Sequence, residues 1–154
     1  MTADLVVAAD TVAAISASPE WDALAEEYAA EAQIKGMPPH NARWDSYQAF
    51  EGMGFLRAFS ARKDGALIGF ISVLAAPLPR YAETVAVTES FFVARAQRYT
   101  GAGLKLLALA ENCAKELGSR GLLVSAPIDG VLPKILVHRG YDPASLVFFK
   151  VFDA

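Results

Sequence analysis

One stretch of the sequence, residues 89–117, most constrains what this chain can fold into. A strand-like apolar run ends at Val93, a loop with two glycines follows, and a strongly helical segment extends from Leu104 to Leu117. The first backbone N–H groups of a helix have no partner within the helix, and the helix dipole places about half a positive charge there. A strand, a glycine-containing loop and a helix N-terminus in this order are typical of an anion-binding site.

The residues of this loop favour a phosphate ligand. Gly101 and Gly103 lack a Cβ atom, so a phosphate can approach the backbone closely. Arg98 offers a charged, forked hydrogen-bond donor. Neither a loop ending in Gly-Lys-Ser/Thr nor the dinucleotide fingerprint G-x-G-x-x-G is present here. The predicted anion-binding residues are therefore Arg98, Tyr99, Thr100, Gly101, Ala102 and Gly103.

Composition narrows the class of protein. The 154 residues fit a single domain, residues 1–154, and a hydrophobic content of 54% is typical of a folded core. No apolar run is long enough to span a bilayer, and Met1–Asp10 does not resemble a secretory signal. The net charge of −3, without a basic stripe, argues against a nucleic-acid partner. The single Cys113 and the two histidines make a metal site improbable and fit a reducing, cytoplasmic location.

Hydrophobic periodicity and turn residues predict an α/β (α+β) chain with the element order β-α-α-β-β-β-α-β-α-β. Asp64-Gly65 is a strong hairpin signal between the second and third strands. Ser18-Pro19 and Asn41 are predicted to begin the first two helices. The predicted strands are Leu5–Ala9, Phe55–Arg62, Ala66–Ala75, Thr84–Val93, Gly121–Ala126 and Leu146–Phe152, and the predicted helices are 19–35, 41–51, 104–117 and 130–139.

The motif Arg98-x-x-Gly101-x-Gly103 resembles the (Gln/Arg)-x-x-Gly-x-(Gly/Ala) pyrophosphate loop of the GCN5-related N-acetyltransferase (GNAT) superfamily. The element order is similar to that family over residues 5–152, and Gly140-Tyr141 matches a family dipeptide before the last strand. The resemblance implies a mixed, mostly antiparallel sheet flanked by helices. It also implies acetyl-CoA as the acyl donor, a small-molecule or protein amine as the acceptor, and a homodimer.

The resemblance also assigns roles within the site. The backbone of Phe91, Phe92 and Val93 is expected to pair with the pantetheine arm, because the fourth strand splays from the fifth in this family. Glu89 is expected to deprotonate the amine and, by strand alternation, to share a face with Val87 and Phe91. A general base that works near neutral pH needs a proton affinity above that of a free carboxylate, and the apolar run around Glu89 favours this.

The group that protonates the departing thiolate is left open by the sequence. Leu136 stands where the family often has a tyrosine, so Ser125, Tyr141, His138 or water are the alternatives. The aromatic residues of the second helix, with Met37 and the loop 77–81, are expected to line the acceptor groove. The alternative function is a CoA-binding regulatory or protein-interaction module without catalysis. The aromatic residues concerned are Trp44, Tyr47 and Phe50.

Overall fold

A computed structural model describes residues 4–38 and 43–152 of the chain. Five strands form one sheet in the order β1-β2-β3-β4-β5, and every neighbouring pair is antiparallel except β4 with β5. The predicted α/β class with a mixed, mostly antiparallel sheet is confirmed. The elements are β1 (Leu5–Asp10), α1 (Val12–Ser16), α2 (Trp21–Ala32), α3 (Trp44–Gly52), β2 (Leu56–Lys63), β3 (Ala66–Leu78), β4 (Glu83–Val93), a 3-10 helix (Arg95–Thr100), α4 (Ala102–Glu116), β5 (Leu122–Leu123) and α5 (Leu132–His138).

The predicted hairpin between β2 and β3 is confirmed. Lys63 pairs with Ala66 across a two-residue turn made of Asp64 and Gly65. Both turn residues have positive φ angles, 51° and 86°. That combination matches the right-handed twist of the flanking strands and explains why Asp-Gly is favoured there.

The sheet buries a separate apolar cluster on each face. On one face, α4 packs Leu106, Ala110 and Cys113 against β2 and β3. On the other face, Leu24 of α2 lies in a cluster with Phe70 and other residues of α1 and the strands. Because Leu106 is fully buried, it contributes about 1.5–3 kcal/mol to folding. The two helical layers thus fix β4 between them.

The first predicted helix, 19–35, is found as α2, and a short helix that was not predicted precedes it. Residues 12–16 already form α1, where the Thr11 hydroxyl accepts a hydrogen bond from the Ala14 N–H. Ser18 does not cap α2 as predicted; its hydroxyl instead donates to the carbonyl of Ala14. Because Thr11 supplies this N-cap directly after the last residue of β1, α1 begins immediately after the strand. The predicted role of Asn41 falls outside the described residues.

The predicted final strand, Leu146–Phe152, is wrong. These residues form no helix or strand, and the side chain of Phe148 is 87% exposed. The predicted strand Gly121–Ala126 is also shorter than expected, because only Leu122 and Leu123 pair with β4. An apolar run becomes a strand only where a neighbouring edge offers hydrogen bonds, and a two-residue β5 offers very little edge.

Candidate active site

The open edge of β4 is the first feature of the site. Strand β5 pairs with β4 only at Ala86 and Val87, and the two strands do not pair beyond that point. The C-terminal part of β4 therefore has β3 on one side only, which is the arrangement that the family resemblance implied. The N–H group of Phe91 donates to the hydroxyl of Tyr28 on α2, at 3.4 Å. Burial raises the pKa of Tyr28, and the charge of Glu89 adds to that rise.

A β-bulge determines where Glu89 points. Ser72 of β3 pairs with Ser90, whereas the next residue of β3 pairs with Thr88, so Glu89 is the extra residue of β4. Glu89 and Ser90 consequently both face the side of α2 and α3. The prediction that Glu89 shares a face with Phe91 is wrong, because Phe91 packs on the opposite cluster, beside α4. The bulge breaks the strand alternation on which that prediction rested.

Two neutral donors hold the carboxylate of Glu89. The hydroxyl of Tyr47 on α3 donates to Oε1 at 2.6 Å, and the hydroxyl of Ser72 donates to Oε2 at 2.9 Å. Burial raises the pKa of Tyr47, and the hydrogen bond and charge of Glu89 raise it further. Tyr47 therefore keeps its proton at neutral pH and stays a donor. Because each carboxylate oxygen accepts more than one hydrogen bond, Glu89 can still accept a substrate proton.

Glu89 lies in an open cavity of about 610 Å³ between the sheet and α1–α3, here named the aromatic cavity. The predicted lining residues Trp44 and Tyr47 are present, and Phe50 lines a smaller neighbouring pocket of about 170 Å³. Neither Met37 nor the loop 77–81 is among the residues that line either of these two pockets. The aromatic side chains that line the cavity are Trp21, Tyr28, Trp44, Tyr47 and Phe70.

Sequence reasoning missed Trp21, Tyr28 and Phe70 as site residues. Trp21 and Tyr28 are seven residues apart on α2, which places them on one face of the helix. That spacing predicts a buried helix face, and such a face is interpreted as part of the core when only the sequence is known. Only the packing of α2 over the sheet shows that this face borders a cavity.

The loop after β4 builds a helix N-terminus with free amides. Gly101 has a left-handed backbone with φ of 81°, and it ends the 3-10 helix directly before α4. The hydroxyl of Thr100 accepts from the Ala102 N–H at 3.2 Å, which caps one amide. The N–H groups of Gly103 and Leu104 meet no protein acceptor in the described part of the chain. They lie at the positive end of the α4 dipole, where an anion is stabilised.

The predicted phosphate donor Arg98 is engaged with protein groups. Its Nη2 atom lies 2.8 and 2.9 Å from the two carboxylate oxygens of Glu31 on α2. Its Nε donates to the carbonyl of Val93 at 3.1 Å, and its guanidinium lies over the ring of Phe92. Arg95 also pairs with Glu31, at 3.2 Å. Arg98 thus links α2 to the end of β4, and a phosphate would have to compete with Glu31 for it.

Tyr99 is an exposed residue of this loop. Its side chain is 76% exposed, and its hydroxyl accepts a hydrogen bond from Nζ of Lys63 at 2.6 Å. The contact ties the loop to the β2–β3 hairpin. In the family that the motif resembles, many members have a glycine at this position, and here the exposed tyrosine side chain extends to Lys63 instead.

The other predicted catalytic residues lie apart from Glu89. Ser125 is exposed in the segment after β5, and Tyr141 donates a hydrogen bond to Glu111 of α4 at 2.7 Å. Neither residue lines the aromatic cavity. Burial raises the pKa of Tyr141, and its hydrogen bond to Glu111 raises it further. Leu136, at the position where the family often has a tyrosine, is buried in α5.

Cys113 is a structural thiol. It is 2% exposed within the core between α4 and the sheet, and burial raises its pKa. A thiol that stays protonated and inaccessible is a poor nucleophile. Among the residues that the structure describes, no group of three or more His, Cys, Asp or Glu is placed to hold a metal ion. No helix formed by those residues is both long and apolar enough to cross a bilayer.

Comparison with known proteins decides the family. Residues 12–128, more than half of the chain, match the family model described as "Acetyltransferase (GNAT) family". The chain belongs to the GNAT acetyltransferase family. The predicted family and the predicted acyltransferase class are confirmed. No curated protein matches the sequence significantly.

Solved structures of other proteins share the fold of this GNAT chain. Ribosomal-protein-alanine N-acetyltransferase from Brucella melitensis biovar Abortus 2308 aligns with a TM-score of 0.69 and 18% identity, over 98% of this chain and 100% of the other. Aminoglycoside N-acetyltransferase AAC(6')-Iy, solved with CoA, aligns with a TM-score of 0.69 and 18% identity, over 100% and 98%. Glucosamine-6-phosphate N-acetyltransferase from Arabidopsis thaliana aligns with a TM-score of 0.73 and 13% identity, over 97% and 99%.

Proposed function

We propose that this protein transfers the acetyl group of acetyl-CoA to a primary amine of a small molecule bound in the aromatic cavity. One observation carries the proposal. The carboxylate of Glu89 is held at the β4 bulge, inside a cavity of about 610 Å³ and beside the open edge of the same strand. A base, a binding space for an amine and an edge for an extended ligand arm therefore meet at one point.

The donor side of the site rests on backbone groups. The amides of Gly103 and Leu104 at the N-terminus of α4 suit a diphosphate, because they are unpaired and at the positive end of a helix. The open edge of Phe91–Val93 suits an extended, amide-containing arm that adds to the sheet as a strand would. The CoA-containing structures of the aminoglycoside enzyme are consistent with this donor.

The position of Glu89 indicates how the acetyl transfer would proceed. An aliphatic amine is protonated in water, so a base must remove its proton before the nitrogen can attack. Glu89 takes that proton, and the neutral nitrogen then forms a bond to the thioester carbonyl carbon. As the carbon–sulfur bond breaks, the nitrogen loses a second proton, which replaces the one given to the leaving sulfur. Holding the two reactants together supplies much of the acceleration. The leaving thiolate takes up a proton, for which Ser125 and Tyr141 remain the predicted sources and Tyr28 joins them as a third.

The acceptor class is argued from the shape of the cavity. A concave space of a few hundred Å³ lined by aromatic side chains is typical of a small-molecule site. The AAC(6')-Iy relative was solved with a bisubstrate analogue of an aminoglycoside, which supports a small amine. A protein amine remains the second acceptor class that the sequence left open, and the homodimer remains a separate prediction that light scattering in solution would test.

The test combines binding with turnover. We expect calorimetry to show acetyl-CoA binding, and a thiol-release assay to show CoA production only when a suitable amine is present. Glu89→Gln should lower kcat by about 10²–10⁴-fold and leave acetyl-CoA binding unchanged. The matched control is Glu83→Gln, since Glu83 is on the same strand but pairs with Arg120 outside the cavity. Binding of acetyl-CoA without amine-dependent release, and no effect of Glu89→Gln, would instead support a non-catalytic CoA-binding module.

A further inference from the structure

The walls of the aromatic cavity indicate the chemistry of the acceptor beyond its reacting amine. The rings of Trp21 and Trp44 meet edge to face, with their centroids 5.1 Å apart. The ring centroids of Trp44 and Tyr47 are 5.5 Å apart. Tyr47 in turn donates to Glu89. The three rings therefore form a continuous wall that leads from the start of α2 to the proposed base.

The cavity lining contains a second carboxylate residue. Asp22 follows Trp21 on the first turn of α2, and both residues line the cavity. In the described part of the chain neither Asp22 nor Glu89 forms an ion pair. The one cation that lines the cavity, Arg43, is paired with Asp45 at 3.1 Å. The described lining thus carries two carboxylates whose charge no lysine or arginine offsets.

We propose that the acceptor is an aliphatic diamine, with one ammonium at Glu89 and a second ammonium at Asp22. This inference rests on the proposed function and names the substrate class of the same site. The faces of Trp and Tyr rings attract cations, and this attraction is stronger where the cation is partly desolvated. The methylene groups between the two ammonium ions lie along the apolar wall of rings. An acceptor whose second group is an anion meets two carboxylates and is repelled.

The two tryptophans give a direct measure of binding. The chain contains two tryptophans, and both line the cavity. Intrinsic tryptophan fluorescence therefore reports on ligands in this cavity without acetyl-CoA and without turnover. We expect cadaverine to change the fluorescence at concentrations about tenfold below those required for n-hexylamine, which replaces the second ammonium by a methyl group.

The same probes test the acceptor preference in turnover. With acetyl-CoA, we expect kcat/KM for cadaverine to exceed that for n-hexylamine about tenfold, and 6-aminohexanoate to be the poorest of the three. Asp22→Asn should raise KM for cadaverine about tenfold, with KM for n-hexylamine and both kcat values unchanged. A purely structural role of Asp22 at the helix start would alter both substrates equally. The matched control is Glu26→Gln, on the same helix but outside the cavity lining.

The outcomes separate this inference from the proposed function. If n-hexylamine or 6-aminohexanoate is acetylated as well as cadaverine, or if Asp22→Asn keeps the preference, the diamine assignment is overturned and the transferase stands. If no amine accepts an acetyl group but cadaverine still binds preferentially by fluorescence, the transferase is overturned and the assignment of the cavity stands. If cadaverine neither binds preferentially nor reacts, the diamine assignment fails.

Discussion

The hydroxyl of Tyr47 lies 2.6 Å from a carboxylate oxygen of Glu89, so that one short hydrogen bond ties α3 to the bulge of β4. Ser72 holds the other oxygen from the neighbouring strand. The base is thus positioned from two directions by groups that carry no charge. An uncharged donor orients a carboxylate without neutralising it, and this leaves Glu89 free to take a proton from a cationic amine.

Tyr47→Phe tests this positioning. The change removes the donor but keeps the ring, so we expect kcat to fall about tenfold, a typical cost of one hydrogen bond to a charged group. Steady-state kinetics would measure kcat. The control Tyr81→Phe removes an exposed hydroxyl from the β3–β4 loop. A kcat that does not fall in Tyr47→Phe would limit Tyr47 to a packing role.

The source of the thiolate's proton can be located with three matched variants. Tyr28 lines the cavity and its hydroxyl lies at the open edge of β4, whereas Tyr141 bonds to Glu111 and Ser125 is exposed after β5. We therefore expect Tyr28→Phe to lower kcat about 10²-fold, and Tyr141→Phe and Ser125→Ala to change it less than about threefold. Because burial raises the pKa of Tyr28, its proton is retained through neutral pH. Pre-steady-state thiol release is the measurement. A larger loss of kcat in Tyr141→Phe or Ser125→Ala would assign the protonation of the thiolate to that residue instead.

Gly103→Ala separates ligand binding from folding. A Cβ at this position would lie 3.7 Å from Val93, an ordinary contact, so the fold accepts it. Alanine in the first turn of a helix is favoured over glycine by up to about 1 kcal/mol, and the melting temperature should stay constant or rise. Affinity for CoA should nonetheless fall about tenfold or more, because the methyl group enters the space that a phosphate needs at the free amides. Calorimetry would measure the affinity, and thermal melts would measure the stability. The control is Gly121→Ala, because an added Cβ meets open space there and the residue is not at the start of a helix. Unchanged affinity for CoA would show that the diphosphate does not bind at the N-terminus of α4.

The elements that depend on local sequence could be predicted. The Asp64-Gly65 turn requires positive φ angles at both of its residues. Gly118, which follows α4, has the left-handed φ that is expected of a helix end. The open edge of β4 was also predicted, although from a family resemblance rather than from the residues. These features involve few residues that are close in sequence, so the pattern of the chain contains the information.

The bulge at Glu89 could not be predicted, because it exists only in the register between β3 and β4. The same limit applies to Trp21 and Tyr28. Their helical spacing predicts a face that packs inward, but only the assembled layers show that this face borders a cavity and a carboxylate. The prediction of a strand at Leu146–Phe152 was wrong for a related reason, since strand-forming residues do not specify which neighbouring strand they pair with.

Glu31→Gln examines the competition for Arg98. Glu31 accepts hydrogen bonds from both Arg95 and Arg98, and it adds a negative charge near the proposed diphosphate site. Neutralising it should release the guanidinium for a phosphate and strengthen CoA binding about threefold to tenfold at low salt. The gain should shrink as ionic strength rises. Titrations at two salt concentrations would measure this, with Glu26→Gln as the control on the same helix. Equal or weaker binding in Glu31→Gln would show that Arg98 only braces the end of β4.

Asp10 makes a pH-dependent contribution to stability at the end of β1. Burial alone would raise its pKa, but hydrogen bonds from Ser60, the Thr11 amide and Arg62 lower it below the ordinary value of 3.8. A lowered carboxyl pKa stabilises the fold above pH 3.8, and that contribution is lost as the pH falls through the folded-state value. The side chains of Asp10 and Arg62 are only 18% and 25% exposed, so Asp10→Asn should lower the free energy of unfolding by about 1–3 kcal/mol at pH 7. Urea denaturation at a series of pH values should show the gap between the two proteins closing below pH 3.8, with exposed Asp129→Asn as the neutral control. A gap that is the same at every pH would mean that the Asp10 charge does not contribute.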